Sequence, residues 1–485
     1  MGRFIFLVVI KYVSILIVFI LFAVNNLYAQ FGYVYGNEGY NYGQSICYTP
    51  FDSGYFLLGN SGWFSNGNSD FLLYKVDSTG KIKWAKNYGG VQIDKAIDII
   101  PFNDTLYALT GFSNNNVNGD YNLKLTIINS FGDVVNNIEF GSNGWDIPFK
   151  VIQDTGNTLL WVGQTFKNNL TNGDGFLLKT NQNADTLRCI QWGDSTEDCF
   201  LNISKNQHKL FIAGYSSSST NGNRQALILK TDIQLNITDT FLLNTSSDAQ
   251  FNSVKQLLNG NILAVGSIKY NSVINGLICL FDSSLNLIYI DSSSKVADEY
   301  WKDFIQRSNH NIIMMAATKL SGFGAYGFYD ILFHQKDENL NFINGFTYGG
   351  IKEDVPSQFI AINDTIYALI ASTQNFGTAL SHFLFIKFNV NNPLISPETF
   401  LIGYNQETAT GNTLQLLPNP IITGATLTGN YTKAQLTIYN ITSSVLWQSE
   451  VYKNQWIDLS FLKQGIYFVE VKIGTLTQIQ KLIKW

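Results

Sequence analysis

Along most of the chain, apolar runs of five to eight residues alternate with clusters of Gly, Asn and Asp. The pattern is clearest between Asp70 and Gly111. There Asp70 to Val76 is followed by Asp77-Ser78-Thr79-Gly80, and Lys81 to Tyr88 by Gly89-Gly90. A further apolar run follows Asp94, and Leu106 to Gly111 closes the phrase. Short alternating runs cut by turn residues predict half-buried antiparallel strands joined by tight turns.

The phrase recurs. A small residue closes its second strand at Gly59, Gly111, Gly163, Gly214, Gly266, Ala317 and Ala371, at intervals of 52, 52, 51, 52, 51 and 54. A second marker, the Gly that ends the fourth strand, falls at Gly36, Gly89, Gly141, Gly193 and Gly349. Self-similarity at this period, with four strands per unit, predicts an all-β fold: a seven-bladed β-propeller over residues 30–390. Its ends are offset. Phe31 to Gly36 reads like the end of a repeat, comparable with Ala85 to Gly90, whereas the seventh repeat stops after its third strand, His382 to Val390. The N-terminal strand is therefore expected to complete the last blade, which removes an open sheet edge.

The repeats are unequal. Asn103 to Leu109 and Asn363 to Leu369 are nearly the same sentence, while Gln225 replaces the Asp that opens the third strand at Asp70, Asp120 and Asp174. Residues 391–412 lose the period and carry Pro393 and Pro397, which reads as a linker. From 413 to 485 a different β rhythm begins: Gln435 to Asn440, Ser444 to Tyr452, Trp456 to Leu459, Gly465 to Ile473 and Thr477 to Trp485. It fits a small Ig-like β-sandwich. At the other end, Arg3, the apolar run Phe4 to Val24 and Leu27-Tyr28-Ala29 form an expected signal peptide over residues 1–29.

Three motifs in the tail carry a resemblance. Pro418-Asn419-Pro420 stands at its start, Gly465-Ile466-Tyr467-Phe468-Val469 late in it, and Gln480-Lys481-Leu482-Ile483-Lys484 at its end. Together they resemble the type A C-terminal sorting domain of the type IX (Por) secretion system of Bacteroidetes. Ser443 and Ser444 stand where that family usually has a turn Gly. The resemblance implies export through the periplasm, recognition of the tail by the type IX machinery, and release or attachment to a surface lipopolysaccharide. Beyond that route it implies no membrane association.

Composition narrows the partners. A net charge of −5 offers no basic footprint, so nucleic acid is excluded as a partner. Charged residues make up 14%, below the roughly 25% usual in soluble domains, and Asn, Ser, Thr and Gly supply the polar surface instead. In a four-stranded blade the loops between strands two and three and between blades share one face. That face would gather Asp94, Asp146, Asp198 and Asp354, with Trp63, Trp145, Trp301 and Tyr326 close in sequence. Acceptors and flat aromatics together could bind a glycan or a protein, or hold Ca²⁺ through oxygen ligands. The plainer alternative is that Asp and Asn-Gly serve the turns themselves. Cys189 and Cys199 flank one blade crossing, close enough in sequence for a disulfide.

Catalytic residues are not assigned and no cofactor is implied. The histidines His208, His310, His334 and His382 are scattered without metal-ligand spacing. The sequence thus favours a secreted or surface-attached binding or scaffold module. An exported polysaccharide hydrolase or lyase with its site in the central depression, and a structural surface component, are the alternatives.

Overall fold

In the computed structural model, the turns between third and fourth strands repeat one device. An Asx side chain accepts two amides ahead of it. Asp77 takes those of Thr79 (2.8 Å) and Lys81 (3.0 Å), and Asn129 those of Phe131 and Asp133 (both 2.9 Å). Asp282 and Asp337 do the same for Ser284 and Asn286, and for Asn339 and Asn341. The residue three positions on has positive φ, which suits Gly80 and Gly132. At Leu285 and Leu340 the same left-handed conformation is held by a leucine, whose buried side chain offsets the strain.

The structure describes residues 30–484 apart from 37–38, 63–64, 66–67, 104, 116–118, 168–171, 218–221, 293–296, 321–327, 376–379, 394–399, 404–413, 418–420, 429–430, 441–444, 454 and 474–475. The described residues contain strands and turns but no helix, so none long and apolar enough to cross a membrane. The expected signal peptide lies outside them.

Between residues 31 and 389 the described strands form seven sheets, numbered here in chain order. Sheet 2 is representative: Asp94–Pro101, Leu106–Ser113, Asn122–Asn129 and Val134–Phe140, each antiparallel to the next. The first strands of the others are Asn41–Thr49, Gly144–Gln153, Asp198–Asn206, Ala249–Gln256, Glu299–Gln306 and Asp354–Ala361. In sheet 7 the fourth strand comes from the opposite end of the described chain. Phe31–Tyr35 pairs antiparallel with His382–Asn389, Phe31 opposite Lys387 and Tyr35 opposite Phe383.

The middle strands are more buried than alternation alone suggests. Gly54–Ser61, Asp70–Val76 and Ile312–Thr318 are buried at every position, while fourth strands such as Thr186–Trp192 stay largely exposed. Both faces of each sheet pack on neighbours. One apolar cluster fills each successive junction, such as Phe56, Phe71, Tyr107 and Leu109 between sheets 1 and 2. A further cluster, with Tyr35, Tyr74, Ile370 and Phe385, joins sheet 7 to sheet 1.

Three sequence readings shift. The small residue of the sixth repeat is Ala316, which pairs with Trp301, rather than Ala317. The third strand of sheet 2 opens at Asn122 rather than Asp120. Within the expected linker, Phe400–Gly403 forms a strand parallel to Phe31–Tyr35 on the outer edge of sheet 7. The unpaired edge of a strand recruits nearby chain in this way.

The chain divides into two compact units between Gln406 and Glu407. The second has a four-stranded sheet in the order Val445–Tyr452, Lys433–Tyr439, Gly465–Ile473, Leu476–Lys484, and a three-stranded one of Gln415–Leu417, Gly424–Thr428 and Trp456–Asp458. One core, including Leu416, Leu427, Leu436, Ile438, Ile457, Val469 and Val471, serves both.

Candidate functional site

Each of the seven first strands carries a β-bulge at the same place. Register slips between Gly43 and Ser45, Ala96 and Asp98, Pro148 and Lys150, Phe200 and Asn202, Phe251 and Ser253, Trp301 and Asp303, and Pro356 and Gln358. A bulge leaves one residue unpaired and re-aims its side chain. The seven residues so placed are Gln44, Ile97, Phe149, Leu201, Asn252, Lys302 and Ser357. All seven line a single cavity of about 540 Å³.

The residue opposite each bulge must be small. At Gly111 a Cβ would stand 2.0 Å from the Lys95 carbonyl oxygen, and the same clash recurs at Gly59, Gly163, Gly214 and Gly266. The repeat marker visible in the sequence is thus the footprint of the bulge.

The residues following the bulges tie neighbouring sheets together. Gln358 Oε1 accepts the Ser45 hydroxyl (2.7 Å) and the Ile46 amide (2.8 Å), linking sheets 7 and 1. Asp98 accepts the Val151 amide (2.9 Å) and Lys150 Nζ (2.5 Å). Asp303 accepts the Ser253 hydroxyl (2.6 Å) and Lys255 Nζ (2.7 Å). Burial opposes ionisation of Asp303, but Lys255 and Ser253 outweigh it and hold the carboxyl below its usual range. Lys302 is exposed to the cavity's solvent. Desolvation by the protein around the cavity holds its ammonium below the ordinary lysine value, with Asp303 opposing and Lys150 reinforcing.

The acidic residues singled out in the sequence lie nearby but point elsewhere. Asp94, Asp146, Asp198 and Asp354 each precede a bulge anchor by two positions and are buried. Their amides bond the preceding sheet at the carbonyls of Ser69, Tyr121, Gly173 and Tyr329, at 2.6 to 2.8 Å. Their carboxylates cap the turn behind them: Gly90, Ser142 and Gly350 donate to Asp94, Asp146 and Asp354. Burial raises Asp198 to about 6 and Asp354 to about 7. The bulge register adds Asn41 and Glu299 to the series, which sequence spacing missed.

Trp145 packs between Tyr121 and Phe166. Trp301 is 1% exposed in the core beside His334 and presents nothing to solvent. Trp63 and Tyr326 lie outside the described residues. Among the described residues no three His, Cys, Asp or Glu side chains converge as a metal site.

The Cys189–Cys199 bridge is corrected: both are free thiols. Cys189 is exposed on the last strand of sheet 3 and Cys199 buried on the first strand of sheet 4, so the two occupy opposite edges of their sheets. Burial lifts the Cys199 thiol well above its ordinary value.

In the tail, Tyr467 is buried and donates to the Lys463 carbonyl (2.7 Å), and Lys484 donates to the Ile422 carbonyl. Gly465 pairs with Lys484 and Phe468 with Lys481. Pro418, Asn419 and Pro420 lie outside the described residues.

Residues 415–485 match the family model described as the secretion system C-terminal sorting domain. A chain bearing this domain is exported, then secreted or attached at the cell surface, and the domain is what meets the type IX machinery. No curated protein matches the chain. Solved structures similar to it include a protein of unknown function from Dyadobacter fermentans (8% identity, TM-score 0.44, covering 74% of this chain and 97% of that one). Another is Sqt1 from Chaetomium thermophilum (9%, TM-score 0.45, 82% and 97%). A third is the β-propeller domain of the Trilobed protease from Pyrococcus furiosus (9%, TM-score 0.41, 76% and 98%).

Proposed function

We propose that the chain is a type IX-exported, seven-bladed β-propeller that serves as a binding or scaffold module outside the cell. On this reading residues 1–29 are a signal peptide, 30–390 the propeller, 391–412 a connector and 413–485 a type A, Ig-like sorting domain of the kind found in Bacteroidetes. The observation that carries it is the sorting domain at 415–485 following repeated four-stranded sheets. Pairing of Phe31–Tyr35 with His382–Asn389 supports ring closure by the N-terminal strand. Polar bulge residues at the cavity support ligand binding there rather than on the Asp-bearing loops.

The test is removal of Leu414 to Trp485 in a host with the type IX system. The truncated protein is expected to accumulate in the periplasm. Normal appearance in the medium or on the surface would show that the tail is not the address.

A further inference from the structure

The seven bulged residues divide by character. Ile97, Phe149 and Leu201, from the consecutive sheets 2, 3 and 4, form an apolar arc, and Phe149 is 38% exposed. The bulged residues of sheets 5, 6, 7 and 1 form a polar arc opposite. Within that polar arc Asn252 donates to the Trp301 carbonyl (2.7 Å) and Ser357 to the Gly43 carbonyl (2.7 Å), so both are engaged with the wall. Lys302 and Gln44 make no hydrogen bond or ion pair among the described residues.

Both carboxylates that line the cavity are already ion-paired. Asp98 is matched by Lys150 at 2.5 Å and Asp303 by Lys255 at 2.7 Å. Lys302 is the lining cation without an ion pair of its own among the described residues, and it faces the cavity. At about 540 Å³ that volume lies within the range of small-molecule sites. A cation lining a cavity without an ion pair of its own favours an anionic group that can accept its protons. An apolar arc across from it favours an apolar body on the same molecule.

We infer that this cavity binds a small carboxylate with an apolar or aromatic body, its carboxylate on Lys302 with Gln44 beside it, and its body against Ile97, Phe149 and Leu201. The inference rests on the reading of the seven sheets as a closed ring. Free aryl or alkyl acids and peptide C-termini ending in an apolar residue share this chemistry.

The test is calorimetric titration of the full chain with 4-phenylbutyrate and with N-acetyl-Gly-Phe, each beside its uncharged amide. The acids are expected to bind at least about tenfold tighter than the amides, the size of a charge-assisted hydrogen bond. Lys302→Met should abolish that preference, while Phe149→Ser weakens acid and amide alike. Binding of N-acetyl-Gly-Phe alone assigns the peptide source, and binding of phenylbutyrate the free acid. Acid and amide binding equally, neither binding, or a preference that survives Lys302→Met would overturn the site. Hydrogen exchange on the same samples separates the two readings. Protected amides at 31–35 with no binding reject the ligand and keep the ring, whereas unprotected amides there reject the ring itself.

Discussion

The carboxylates of Asp330 and Asp354 meet at the amide of Gly350, which lies 3.3 Å from the first and 3.0 Å from the second. Asp330 opens the third strand of sheet 6 and Asp354 the first strand of sheet 7, so the pair sits in a sheet junction. Both are buried, and burial raises them to about 6 and about 7, with Asp330 adding to the shift at Asp354. Gly349 allows the approach, since a Cβ there would stand 2.0 Å from Asp330 Oδ1. Within sheet 2 the corresponding acid of the first strand, Asp94, has a different partner, Lys124 of the third strand. Lys124 Nζ lies 2.5 Å from Asp94 Oδ1, with the two side chains 3% and 0% exposed, and Glu139 stands 3.7 Å from the same lysine.

The sheet 6–7 junction predicts a pH dependence. Folded pKa values of about 6 and 7, against 3.8 ordinarily, mean that folding resists ionisation of these acids. Their favourable contribution is complete below about pH 4 and is lost as pH rises through 6 to 7. Asp354→Asn should therefore lose about 2 kcal/mol less stability than wild type between pH 4 and 8, allowing for the coupling of the pair. Denaturant melts at four pH values measure this, and parallel curves for the two proteins would contradict it.

The same substitution at Asp94 should behave in the opposite way. Asp94→Asn leaves Lys124 buried with only the more distant Glu139 to balance it, at an expected cost of about 3 kcal/mol. Adding Lys124→Met should recover much of that loss, because the stranded charge is removed. A double-mutant cycle by urea denaturation reads the coupling directly. Additive effects would mean that the pair contributes independently.

Tyr35 reports on closure of the sheets. It is fully buried on the N-terminal strand, and its hydroxyl donates to the Gly80 carbonyl in sheet 1 at 2.6 Å. Tyr35→Phe should cost about 1 kcal/mol, one buried hydrogen bond. Tyr35→Ala should cost about 3–5 kcal/mol by opening a cavity between sheets 7 and 1. Deletion of residues 30–38 should go further and produce aggregation, by baring the His382–Asn389 edge. A deletion variant that stays monomeric with an unchanged melting temperature would refute closure by this strand.

Much of this architecture is local and was legible in the chain itself. Strands, turns and the repeat follow from alternation, Asx residues and glycines, because each acts over a few residues. The offset of Phe31 to Gly36 against the truncated seventh repeat pointed to a pairing that the structure contains. The tail's motifs likewise led to the sorting domain.

The cavity was not legible, and the reason is physical. A bulge fixes the backbone and leaves the unpaired side chain free to be anything, so Gln44, Ile97, Phe149, Leu201, Asn252, Lys302 and Ser357 share no residue type. Only their shared position opposite the small residue of the second strand links them, and even that shifts by one at Ala316. The acids show the converse. Asp94 and Asp354 look equivalent in sequence, but one meets Lys124 of its own sheet and the other meets Asp330 of the neighbouring sheet. Sequence determined the spacing of these groups along the chain. Strand pairing within sheet 2 and packing of sheet 6 on sheet 7 decided which charge each one met, because partners more than twenty residues away are set by the fold rather than by the strand that carries them.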